Sequence, residues 1–259
     1  MTQEKKRIAL IRALLAEQPR YAGLAVPTEE AEQHRLLRSL MNVRPPDPLA
    51  PELLRLQDAY LQGELLHRGV TELDDLTPLR DNLYLWQGDI TLLRADAIVN
   101  AANSGMLGCF CPCHGCIDNA IHTYAGMQLR LACAEQMAAQ GHDEPTGRAK
   151  LTPAFNLPCR FVLHTVGPII TEAVTSEDEA LLADCYRACL ALAAETGATS
   201  LAFCCISTGE FHFPPALAAR IALHTVQADP AVQSGRMKVI FNVFKKQDYD
   251  LYAKLLGGV

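Results

Sequence analysis

From Asn82 onward, short apolar runs alternate with longer stretches of helical periodicity, and this rhythm points to a layered α/β fold. Strand candidates fall at 83–87, 97–100, 161–166, 201–206 and 238–244, with helices near 117–140, 177–195, 215–227 and 249–256. The run Leu201-Ala202-Phe203-Cys204-Cys205-Ile206 carries no polar alternation, so helices must cover its sheet on both faces. Within 177–195, Leu181, Cys185 and Cys189 lie beside Leu182, Tyr186 and Leu190, and each set recurs every four positions. Such a stripe is a buried helix face, which makes those two thiols core residues. Cys204 and Cys205 are read as structural for the same reason.

The first eighty residues follow another pattern. Apolar side chains recur at helical spacing in three pieces: Ile8, Ile11, Leu14 and Leu15; Leu36, Leu37, Leu40 and Met41; Leu53, Leu54, Leu61, Leu65 and Leu66. Pro19, Pro27 and the Pro45-Pro46-Asp47-Pro48 cluster separate them, because proline cannot continue a helix interior. The expected organisation is a helical extension over 1–80 and an α/β unit over 81–259.

Lys+Arg 23 against Asp+Glu 29 gives a net charge of -6, and no basic stripe with interleaved aromatics occurs. A nucleic-acid partner is therefore excluded, and any phosphate must be held locally. No run approaches the roughly 20 apolar residues that cross a bilayer. The amino terminus starts basic, but Arg12 breaks its apolar run and Glu17 follows, so export is not expected and a cytoplasmic location is. In that compartment the ten cysteines read as core residues, metal ligands or reactive groups before disulfides.

Three loops follow strand candidates, at the edge where open α/β sheets place their ligand crevice. The first, Gln87-Gly88-Asp89-Ile90-Thr91, allows a tight turn and leaves a carboxylate at the sheet edge. The second spans 100–119 and packs Cys109, Cys111, Cys113, His114 and Cys116 into eight residues before a helix. Thiolate with imidazole is a ligand set suited to zinc. Four cysteines would close a structural staple, whereas Cys109, His114 and Cys116 can wrap one ion and leave a position free; the spacing leans to the open site. The third loop, 206–215, leaves a strand through Ser207-Thr208-Gly209 and enters a helix through Pro214-Pro215, exposing successive amides suited to phosphate. His212 within it carries no assigned role.

Taken together, the loops resemble those of macrodomains, the modules that bind ADP-ribose, over roughly residues 82 to 256. The resemblance rests on Gly88-Asp89-Ile90-Thr91, on Asp96-Ala97-Ile98-Val99-Asn100-Ala101-Ala102-Asn103-Ser104, and on Gly147-Arg148-Ala149 with Asn156-Leu157-Pro158. His164-Thr165-Val166-Gly167-Pro168 and Ile206-Ser207-Thr208-Gly209 complete it. Most members carry a short glycine run where 109–116 stands here; the zinc-dependent branch of protein-ADP-ribose hydrolases resembles this chain instead. Its Cys-x4-His-x-Cys set falls on Cys109, His114 and Cys116, with Cys111 and Cys113 outside it, and the helical extension is similar too.

That resemblance implies a three-layer α/β/α macrodomain with a mixed central sheet, one zinc ion, and a hydrolase acting on a mono-ADP-ribosylated protein. It implies Asp89 on the adenine amino group, the Ile90 amide on the ring and Phe244 stacked beside it. Ser207, Thr208, Gly209, Glu210 and Phe211 would wrap the pyrophosphate through amides, with the Glu210 side chain pointing away. Asn103 would hold the distal ribose, bordered by Ile117 and Asp118, and Asn103 and Asp118 are the catalytic candidates. Branch members often accompany a sirtuin-type transferase and a lipoyl-carrier protein that would be the modified substrate. The rivals are a reader with a structural zinc and an O-acetyl-ADP-ribose deacetylase.

Overall fold

A computed structural model describes residues 1–257; the last two positions of the 81–259 unit lie outside the described residues. Three helices open the chain: α1 (Gln3–Ala16), α2 (Glu30–Val43) and α3 (Pro51–Arg68). Leu10, Ile11, Leu14, Leu37, Leu40, Met41, Leu53, Tyr60 and Leu61 form a core among them, joined by Met127 from the following unit. Leu66, expected on the apolar face of the third piece, is 81% exposed, because the stripe has rotated into solvent by the last turn of α3.

Next come β1 (Thr71–Glu72), β2 (Pro78–Arg80), β3 (Leu83–Gln87), β4 (Leu93–Arg94) and β5 (Ala97–Ala102). Helices α4 (Ile117–Ala125) and α5 (Met127–Gln140), strands β6 (Ala149–Pro153) and β7 (Phe161–Val166), and α6 (Ser176–Glu195) follow. The chain continues through β8 (Ser200–Phe203), α7 (Pro215–Gln227), the short α8 (Pro230–Gln233), β9 (Lys238–Val243) and α9 (Lys246–Gly257). The seven-stranded sheet has the order β2-β3-β9-β8-β5-β7-β6, and β1 pairs separately with β4. Pairings among β3, β9, β8, β5 and β7 are parallel, while β2 and β6 run antiparallel on the two edges. The sheet is therefore mixed, and the carboxyl ends of β3, β5, β7, β8 and β9 gather on one side.

The strands are short and their inner positions fully covered: Ala97, Ile98, Val99, Val162, Leu163, Leu201 and Ala202 are all 0% exposed. Burying each larger aliphatic side chain stabilises the fold by about 1.5–3 kcal/mol. Cys185 and Cys189 sit in this core at 0% exposure, as their periodicity implies.

Several elements differ from the expected ones. The 117–140 stretch is two helices, because Gly126 takes a φ of 102° that breaks the backbone path. A Cβ there would stand 2.8 Å from Gln57 Nε2 of α3, and Gln57 Oε1 in turn accepts the Met127 amide at 2.8 Å. Strand β8 stops at Phe203 rather than residue 206, since Cys204 onward leaves the ladder for the third loop. Strands β1, β2, β4 and β6 are short or at an edge, below what apolar periodicity reveals.

Asp96 fastens the start of β5 to that of β8. Its Oδ2 accepts from Thr199 N at 2.7 Å, Thr199 Oγ1 at 2.9 Å and Ser200 N at 3.2 Å, while Arg160 Nη1 lies 3.3 Å from Oδ1. Burial works to raise its pKa, but the Thr199 bonds and the Arg160 charge outweigh it and hold the pKa below 3.8. A carboxyl depressed in this way stabilises the fold above its unfolded pKa and loses that contribution as pH falls through the folded value. Asp96→Asn is expected to lower the unfolding free energy at pH 7 by about 1–3 kcal/mol in urea titrations, with the gap closing below pH ~4. Equal stability at pH 7 would show that the clamp carries no weight.

Candidate functional site

The loop after β5 ends where α4 begins, and Cys116 is the residue at that junction. Its Sγ accepts the Asn119 amide at 3.4 Å, which makes the thiol the cap of α4. Cys109 Sγ lies 3.6 Å from His114 Nδ1, and the ligand atoms of Cys109, His114 and Cys116 all fall within 4.8 Å of one another. A tetrahedral zinc with Zn–S of about 2.3 Å and Zn–N of about 2.0–2.1 Å sets sulfur and nitrogen about 3.6 Å apart, so this donor set fits that ion. Burial, partly offset by the Asn119 amide, pushes the Cys116 thiol up to about 12, so metal entry at neutral pH must release its proton.

Cys111 and Cys113 stand apart. Cys111 is exposed, and Cys113 takes a φ of 54° that turns its sulfur towards α2, 3.4 Å from Arg35 O and 3.3 Å from Ser39 Oγ. Among the described residues they join no ligand group. Glu210 Oε1 reaches across from the third loop to within 3.5 Å of His114 Nε2, the ring nitrogen opposite the one facing Cys109. A carboxylate on the far nitrogen orients an imidazole towards a cation at the near one.

Behind the thiols lies a buried polar constellation. Asn100 Nδ2 donates to Asp118 Oδ1 at 2.8 Å and lies 3.1 Å from His164 Nδ1, its cross-strand partner in β7. His122, one turn along α4, places Nε2 3.5 Å from the same Asp118 oxygen. Burial raises the Asp118 carboxyl to about 6 against the opposing pull of Asn100 and Arg130. Burial also drives His164 down to about 3 and His122 well below its ordinary value, so both imidazoles are neutral. Both His122 ring nitrogens are buried without a hydrogen bond. His122, Cys133 and His164 also cluster, but His164 has already spent Nδ1 on Asn100 and Nε2 on Thr152 at 2.9 Å. Sequence reasoning gave no role to Asn100 or His122. The signals were present: a polar side chain inside an apolar strand, and a histidine four residues after Asp118 on one helix face.

After β3, Asp89 caps a short turn. Its Oδ1 accepts from Thr91 N at 2.9 Å and Thr91 Oγ1 at 2.6 Å, while Arg68 at the end of α3 pairs with Oδ2. Ile90 is buried, and Phe244, one residue past β9, is 77% exposed. Core packing is thus excluded as the reason for Phe244. In the third loop, the amides of Ser207, Gly209, Glu210 and Phe211 bond to no backbone carbonyl among the described residues, whereas that of Thr208 points to Cys205 O at 3.4 Å. Ser207 holds a φ of 63°, and a Cβ on Gly167 would stand 2.0 Å from its Oγ, so glycine is required where the two loops meet. His212 is exposed and joins none of these groups. Asn103 donates to Gly108 O at 3.2 Å, and Ile117 is half-buried at the start of α4.

The Macro domain family matches residues 99–222. A protein-ADP-ribose hydrolase of Treponema medium is 57% identical over 99% of this chain and 100% of its own length. One from Staphylococcus aureus is 48% identical over 90% of this chain and 88% of its own. The chain belongs to the Macro domain family.

Solved macro domains agree in fold. That of Oceanobacillus iheyensis with ADP superposes with a TM-score of 0.62 at 38% identity, over 70% of this chain and 93% of that one. That of Trypanosoma brucei in complex with ADP-ribose gives 0.65 at 31% identity, over 85% and 95%. The relatives that span this macro domain protein, helical extension included, are named as hydrolases, in agreement with the enzyme reading of the sequence. Among the described residues no helix is long and apolar enough to cross a membrane.

Proposed function

We propose that this protein is a zinc-dependent hydrolase that removes mono-ADP-ribose from a protein side chain, an aspartate or glutamate ester, with 81–259 as the catalytic unit and 1–80 as its helical extension. The observation that carries the reading is the open trio of Cys109, His114 and Cys116, set at the helix start that also bears Asp118. Full-length similarity to proteins named as protein-ADP-ribose hydrolases supports it. In this reading the modification reversed is one laid down by a sirtuin-type transferase on a lipoyl-carrier protein, and the enzyme works in the cytoplasm.

Each side chain has a task. Asp89 accepts a hydrogen bond from the adenine amino group on the lone pair of Oδ2 that Arg68 leaves free, the Ile90 amide meets the ring, and Phe244 stacks on its face. The amides of Ser207, Gly209, Glu210 and Phe211 cradle the pyrophosphate, with Thr208 shaping the turn between them. This local cradle is how a chain of net charge -6 holds a dianionic ligand. The Glu210 carboxylate, directed to His114, stays off the phosphates. Asn103 and Ile117 border the distal ribose.

Cys109, His114 and Cys116 would hold one zinc ion, which when bound polarises an oxygen at the distal ribose and eases loss of a proton from water at neutral pH. Asp118 takes the proton from the attacking water, held in place by Asn100. The water oxygen ends on the distal ribose carbon, the bond from that carbon to the side-chain oxygen breaks, and the carboxylate leaves with the protein.

Two experiments check this account. The parent protein should carry one zinc per chain by elemental analysis, and Cys109→Ala should lose it together with at least about a hundredfold in hydrolysis of an ADP-ribosylated protein, the worth of a few kcal/mol of charge stabilisation. Turnover that persists after verified zinc loss contradicts the catalytic metal, and zinc with binding but no turnover leaves a reader. Phe244→Ala should weaken ADP-ribose binding in calorimetry by about 1–3 kcal/mol without lowering thermal stability; unchanged affinity removes Phe244 from the adenine site.

A further inference from the structure

The cysteine loop does not hold its own shape. Besides the turn at 111–114, the cap on Cys116, the Asn119 bond to Cys111 O, Glu210 beside His114 and Arg130 over Phe110, it is braced by α2 of the helical extension. Arg38 sends Nε and Nη2 to Asn119 Oδ1 at 3.1 and 2.7 Å, and Nη2 also reaches the carbonyl of His114 at 3.1 Å. One turn on, Asn42 Oδ1 accepts the Cys113 amide at 2.9 Å and its Nδ2 donates to Thr123 Oγ1 at 2.9 Å. Asn119, 0% exposed, is the hub: its backbone amide points at the Cys116 sulfur, Nδ2 donates to Cys111 O at 2.9 Å, and Oδ1 is gripped by Arg38.

We infer that the extension is the outer shell of the metal centre, and that Arg38 is a positioning residue that sets the His114 carbonyl and Asn119, and through them two of the three ligands, in their ligating geometry. The inference rests on the zinc reading above and deepens it, since it gives 1–80 a task in that site. A guanidinium suits the task because its planar fork bonds two acceptors at fixed angles, which a lysine ammonium does not. Ligand-orienting contacts of this kind commonly contribute about 10–100-fold to metal affinity. The Cys113 sulfur is accounted for as well: it anchors the loop on Ser39 and Arg35, and so serves the metal without binding it.

The test is the zinc affinity of the full chain, measured by competition with a chromophoric chelator and zinc alone as the probe. Arg38→Ala should bind zinc about 10–100-fold more weakly than the parent, with part of the loss recovered on adding guanidinium ion. Arg38→Lys keeps the charge and stem, so it serves if the alanine variant does not fold, and it too should bind more weakly than the parent. Asp96→Asn, which loosens the sheet away from this loop, should match the parent. A parent that holds no zinc overturns the metal reading and this inference with it. A parent that holds zinc, beside Arg38 variants of equal affinity or an Asp96→Asn variant weakened just as far, overturns the role of Arg38 alone.

Discussion

The Asn119 amide directed at the Cys116 sulfur is the contact on which the site depends. It ends the cysteine loop and begins α4 at one atom, so the same turn that presents a thiol also fixes where Asp118 enters the interior. Strand β5 brings the chain to this point buried at every position but Ala101, and its buried polar group, Asn100, meets Asp118 from the other side. The partial positive charge of a helix start favours a thiolate there once a cation displaces the thiol proton to solvent. A thiol that caps the helix and a buried carboxyl are thus placed by one junction between strand and helix.

The same economy holds at the loop after β3. Asp89 closes a turn after β3 while Arg68, from the last turn of α3, fixes its second oxygen and lies 3.8 Å over the ring of Tyr124. Helices α2 and α3 therefore touch both loops, α2 at the thiols and α3 at the carboxylate. An acidic chain cannot attract phosphate over distance, so the proposed ligand would be taken up by amides and a positive helix end at contact range.

Much of this was legible in the residues. The parallel strands could be read because their inner positions are continuously apolar, and the Cys109, His114 and Cys116 cluster because thiols and an imidazole crowd one short segment. Edge strand β6 was hidden because Ala149–Pro153 is half-exposed and ends in proline. The break at Gly126 was hidden because a glycine within a helical pattern does not declare its φ; the φ of 102° makes glycine necessary, and Gln57, distant in sequence, packs beside it. Arg38 and Asn42 were invisible as site residues for the same reason. They act through contacts about eighty residues distant, which no local pattern encodes. Phe244 ends an apolar strand run in the sequence, and only its exposure in the fold excludes core packing.

X-ray absorption at the zinc edge, on zinc-loaded protein with ADP-ribose bound, addresses the central claim most directly. The account predicts two sulfur atoms at about 2.3 Å, one histidine nitrogen near 2.0 Å and a remaining light-atom position. Three or four sulfur neighbours would mean that Cys111 or Cys113 closes the ion, and the open site would be contradicted.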